Sequence, residues 1–117
     1  MTGMSWDSKE MANAVRERAA RAEKALREDA MDRARRIACL LKGEYGVARV
    51  LVYGSLVDGY FHSRSDIDLL IDDHSGSYWD MYAKADKVAS PFALSIICAH
   101  DAQPSLRESA ESRGVQL

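Results

Sequence analysis

The sequence predicts an α+β domain, a two-layer α/β arrangement in which a small mixed β-sheet carries helices and a long N-terminal helix precedes it. Three observations predict this. From Asp7 to Lys42 there is neither Pro nor Gly, so nothing interrupts a helix. Three short runs, RVLVYG, DIDLLID and PFALSIICA, are rich in β-branched and aromatic residues. Turn-forming stretches separate them from two segments of helical composition, YWDMYAKADKVA and PSLRESAESRG.

In chain order, Asp7 followed by Glu10 reads as a capping box. Val15, Ala19, Ala22, Leu26, Ala30, Ala34, Ile37 and Leu41 then recur at spacings of three and four, which makes one helical stripe. The pattern allows one helix or two with a break. A single one would run on the order of 50 Å at 1.5 Å per residue, longer than a domain of this size is wide. Its first half is poor in large apolar side chains, so residues 1–30 are expected to be a helical extension and residues 31–117 the domain proper. The stripe also suggests self-association or partner docking. Gly43 and Gly46 end the helix. Residues 49–54 form a first strand, 54–59 a short helix or turn, 60–65 a loop and 66–72 a second strand. A helix over 78–89, a strand after Pro91, a helix from Pro104 and a short strand over Val115–Leu117 complete the order.

At 117 residues the chain holds one modest core. A net charge of -2 excludes a general nucleic-acid binder. Arg and Lys residues crowd the N-terminal third, but Glu and Asp interleave with them, which on a helix means a solvated face with local pairs. No apolar run approaches the roughly 20 residues of a membrane span, and the N-terminus lacks a leader pattern, so a cytoplasmic protein without membrane contact is expected. Cys39 and Cys98 lie in apolar contexts without metal-type spacing and read as buried thiols.

The chemistry concentrates in VYGSLVDGYFHSRSDIDLLID, residues 52–72. Alternation along a strand points Asp66 and Asp68 to one side and Ile67 and Leu69 to the other. Two carboxylates on one face repel, and a divalent cation removes the conflict. Mg²⁺ suits the place, since it takes oxygen ligands and typically combines one or two carboxylates with substrate phosphates. Gly54 allows close approach of a phosphate to the backbone, the Ser55 hydroxyl can donate to it, and the amides of a following helix attract the anion.

Gly54-Ser55, a ten-residue spacer and Asp66-x-Asp68 resemble the signature of the nucleotidyltransferase superfamily that includes DNA polymerase beta and the kanamycin nucleotidyltransferases. The resemblance is closest to the small members called minimal nucleotidyltransferases, or MNT proteins, and covers roughly residues 35–117. It implies a palm-like nucleotidyltransferase fold and transfer of NMP, AMP foremost, from an NTP such as ATP to an acceptor hydroxyl. Asp66 and Asp68 would be the catalytic carboxylates holding Mg²⁺, and Gly54, Ser55 and Arg64 would bind the nucleotide. Small MNT proteins also resemble antitoxins paired with a HEPN-type ribonuclease, which implies such a partner. Two other roles fit the resemblance: a weakened module that neutralises a partner by binding, and a small-molecule transferase of the aminoglycoside type.

The sequence departs from the family at two positions. The pattern places a third carboxylate on a later strand, and Ser95 stands there, with Asp101 several residues beyond. Small members commonly carry an arginine soon after Gly-Ser, and this chain has Asp58, leaving Arg64 or His62 to compensate. His62 reads as a loop cap before a base, and Tyr53 and Trp79 as core aromatics before base-stacking surfaces.

Overall fold

The structure, a computed structural model, describes residues 7–59 and 61–117. Helix α1 runs unbroken over Ser8–Tyr45, 38 residues. Asp7 caps it by accepting a hydrogen bond from the Lys9 amide at 3.2 Å, and Gly46, at φ 64°, closes it in the left-handed conformation that glycine adopts without strain. Gly43 lies inside the helix, not at its end, at an open position where a side chain would meet nothing.

The stripe divides in two. Ala30, Ala34, Ile37, Ala38, Leu41 and Tyr45 are buried, whereas none of residues 7–29 is. Half of α1 therefore projects, giving a molecule 71 Å along its longest axis and 28 by 18 Å across. The charges of α1 pair locally at i,i+4: Lys24 with Glu28, Arg33 with Asp29, and Arg36 with Asp32. Arg33 also donates to the Val88 carbonyl at 3.0 Å, tying α1 to the end of the helix over Tyr78–Ala89.

The remaining elements are β1 (Val50–Tyr53), α2 (Ser55–Asp58), β2 (Asp66–Ile71), α3 (Tyr78–Ala89), β3 (Ala93–Cys98), a 3₁₀ turn (Ala99–Asp101), α4 (Pro104–Arg113) and β4 (Val115–Gln116). The sheet order is β3-β2-β1-β4. β1 pairs antiparallel with β2 and β4, and β2 pairs parallel with β3. The last pairing requires a crossover, which α3 supplies.

Strand alternation gives the sheet two unlike faces. Val50, Val52, Ile67, Leu69, Ile71, Leu94, Ile96 and Cys98 join the main core with α1 and α3. Leu51, Leu70 and Ile97 pack with Ala99, Leu106 and Ala110 in a smaller cluster at one end of the opposite face. The other end of that face carries Tyr53, Asp66, Asp68 and Ser95. Edge strand β3 is closed to further pairing, because Tyr78 and Tyr82 donate their hydroxyls to the carbonyls of Ile96 and Leu94 at 2.6 Å each.

Candidate functional site

Strand β1 ends at Tyr53, and the chain turns at Gly54 with φ 76° and ψ -147°, a conformation essentially restricted to glycine. The absent side chain is used. A β-carbon on Gly54 would stand 2.7 Å from Asp68 Oδ2, so the carboxylate occupies the space glycine leaves. Ser55 then opens α2, a single turn held by the Val57 and Asp58 amides donating to the Gly54 carbonyl. With one turn the helix adds little field, so the polar contribution at this point rests on the Ser55 hydroxyl.

Asp68 lies at the centre of the site. It is paired in register with Tyr53 of β1 on one side and with Ser95 of β3 on the other. Asp66, two residues earlier, is exposed at the strand end opposite Ala93. Burial first, and the Asp66 charge second, push the Asp68 carboxyl up to about 6. The Tyr53 phenol is also raised, by burial and then by Asp68. An Asp68 that resists ionisation without a counter-charge is what a cation-binding carboxylate beside a second one should show. Two carboxylates with a glycine cradle beside them therefore fit a hard divalent cation such as Mg²⁺.

The position of Ser95 follows from register: it is the β3 neighbour of Asp68 on the same face. Asp101 does not replace it. It lies three residues past the far end of β3, in the 3₁₀ turn beside His100. Among the described residues, the group of three His, Cys, Asp or Glu ligands mutually within 4.8 Å is Cys98, His100 and Asp101, so no third such residue completes a cluster of that kind with Asp66 and Asp68.

The loop before β2 is anchored by Phe61, fully buried and edge-on to Phe92 at 5.3 Å. Sequence reasoning passed over this residue, although an aromatic inside a polar loop is the available signal. His62 caps the turn that follows, its Nδ1 accepting from the Arg64 amide at 3.2 Å and its amide donating to Ser65 Oγ at 3.1 Å. Arg64 is exposed and, among the described residues, forms no ion pair. Asp58, at the end of α2, is likewise exposed.

Two readings of the sequence are corrected. Cys39 is exposed, because it falls on the outward side of α1 between the buried Ala38 and Leu41, while Cys98 is buried as expected. Trp79 is 73% exposed instead of belonging to the core. It stacks edge-on to Tyr78 and Tyr82 on α3, behind the sheet from Asp68.

A mixed sheet backed by helices on one face, with an Asp-x-Asp strand beside a Gly-Ser turn on the other, defines a nucleotidyltransferase fold. The sequence matches the family described as nucleotidyltransferase domain over residues 31–114, and the chain belongs to that family. A solved structure carrying the provisional name minimal nucleotidyltransferase superposes with a TM-score of 0.63 at 24% identity, covering 78% of this chain and 95% of that one. At that identity the likeness speaks for the fold. No curated protein matches the chain. Among the described residues no helix is long and apolar enough to cross a membrane.

Proposed function

We propose that this protein is a Mg²⁺-dependent nucleotidyltransferase that moves NMP, with AMP the first candidate, from an NTP to an acceptor hydroxyl. The observation that carries the reading is the position of Asp68, held between the Gly54 turn and Ser95 with Asp66 beside it. In this reading Asp66 and Asp68 hold the cation, which when bound offsets triphosphate charge and draws electron density from the reacting phosphorus. The Gly54 backbone lets a phosphate come close, the Ser55 hydroxyl donates to a phosphate oxygen, and the exposed Arg64, which forms no ion pair among the described residues, is free to reach the same anion. Ser95 offers a hydroxyl where a third carboxylate would orient the acceptor. It can hold a water or the acceptor by a hydrogen bond, but it is too weak a base to take the proton.

That serine supports a second reading, in which transfer is slow and the domain acts chiefly by binding a partner protein. For either reading we propose a HEPN-type ribonuclease partner, cytoplasmic action, and residues 1–30 as an extension through which α1 docks on that partner or on a second copy. A small-molecule acceptor of the aminoglycoside type is a third option. The test is calorimetric titration with Mg²⁺-ATP, comparing wild type with Asp66→Asn/Asp68→Asn. Heat in the first and none in the second supports a nucleotide site, whereas no heat from wild type at concentrations well above a millimolar Kd removes it.

A further inference from the structure

We propose that Cys98, His100 and Asp101 form a binding site for a borderline divalent transition metal of the Zn²⁺ class, separate from the Asp66–Asp68 pair. Their ligand atoms lie within 4.8 Å of one another. They converge because Cys98 is the last residue of β3 and the 3₁₀ turn Ala99–Asp101 folds the next three residues back over it. His100 Nε2 already stands 3.4 Å from Asp101 Oδ2, so the ring presents that nitrogen to the cluster.

The donor chemistry selects the metal. A thiolate, an imidazole and a carboxylate suit Zn²⁺ or Co²⁺ and not Mg²⁺, which takes oxygen ligands. With bonds of about 2.0 to 2.3 Å, tetrahedral ligand atoms sit roughly 3.3 to 3.8 Å apart. The present spacing therefore closes by about 1 Å, within reach of side chains as free as His100 and Asp101, which are 61% and 72% exposed. Cys98 is the fixed member, buried against the core. Three protein ligands leave a fourth position for water.

The two sites are distinct in place. Cys98 is three residues along β3 from Ser95, about 10 Å at 3.3 Å per residue, and points to the opposite face of the sheet. A metal there would clamp the β3–α4 connection and touch neither Asp66 nor Asp68.

The test titrates Co²⁺ into full-length Cys39→Ser protein, which removes the exposed thiol. One equivalent should raise a thiolate-to-cobalt charge-transfer band in the near ultraviolet, and Zn²⁺ should abolish it by displacement and raise Tm. In that background His100→Ala and Asp101→Asn, at exposed positions that leave folding intact, should each weaken Co²⁺ binding by about tenfold or more. Cys98→Ser should lose the band, and Asp66→Asn/Asp68→Asn should keep it. Absence of the band in the Cys39→Ser protein overturns the proposal, as does a band of unchanged affinity in both His100→Ala and Asp101→Asn.

Discussion

The Asp68 carboxylate occupies the volume that a side chain on Gly54 would fill, 2.7 Å from where that β-carbon would stand. The two residues belong to antiparallel neighbours, and Asp68 pairs with Tyr53, the residue before the glycine. The turn and the acid are thus one unit: the glycine cannot change without displacing the carboxylate.

Gly54→Ala tests that unit. The new methyl group meets Asp68 Oδ2, and φ 76° is strained for alanine whatever the space. The expected loss of stability is about 1–3 kcal/mol, with Mg²⁺-ATP binding falling further than stability does. Thermal melts and calorimetry on the same preparation read both. A variant that melts like wild type and binds normally would show that Asp68 has no fixed place.

The Gly-Ser turn, the ten-residue spacer and the Asp-x-Asp strand could be read from the sequence because each has a local cause: glycine at a forbidden φ, period-two alternation, and charge inside an apolar run. The order of elements was legible for the same reason, down to the helix over Tyr78–Ala89. What depended on tertiary packing was not. The exposure of Cys39 and Trp79 rests on which side of a helix meets the sheet, and Ala38 and Cys39 differ only in that. The tyrosine bonds that close the β3 edge and the burial of Phe61 also join residues whose proximity only the fold creates. The Cys98-x-His100-Asp101 turn escaped notice because strand end and 3₁₀ turn together, not a known metal spacing, bring its atoms together.

A pH dependence follows from Asp68, whose carboxyl is raised to about 6, first by burial and then by Asp66. A carboxyl raised in the fold favours the folded state when protonated. That contribution is fully present below about pH 4 and is lost as pH rises through about 6. Asp68 is only half-buried, so screening reduces the effect to about 1 kcal/mol. Asp68→Asn, which never ionises, should therefore be more stable than wild type at pH 8 by about that amount, and little different at pH 4. Mg²⁺ requires the ionised form, so Mg²⁺-ATP affinity should weaken as pH falls below about 6. Equal melting shifts at both pH values would contradict the assignment.

Residues 8–29 of α1 contribute no buried side chain, and burial becomes complete at Ala30. Deleting residues 1–25 should leave a folded domain with a change in stability of no more than about 1 kcal/mol, since exposed surface contributes little. Met11 and Val15, 53% and 64% exposed, are removed with it, and any association through the projecting helix should vanish. Light scattering on both proteins decides this: a mass per particle reduced only by the deleted residues would show that the extension mediates no self-association.

Ser95 is where the proposed chemistry is most open to gain. It neighbours Asp68 on the same face, so Ser95→Asp places a third carboxylate beside Asp66 and Asp68 without moving the backbone. Three like charges should lower stability in the absence of metal by about 1 kcal/mol, and Mg²⁺ should restore it. If the missing acid limits transfer, the variant should move labelled AMP from α-labelled ATP to the copurified partner faster than wild type. Each 1.4 kcal/mol or so of transition-state stabilisation is tenfold, so a gain of about 10- to 1,000-fold is the expected range. Asp101→Asn should leave this rate unchanged, because that residue lies past the far end of β3. Rapid wild-type transfer that Ser95→Asp does not improve would mean that the serine suffices, and no transfer by either protein would favour the partner-binding role.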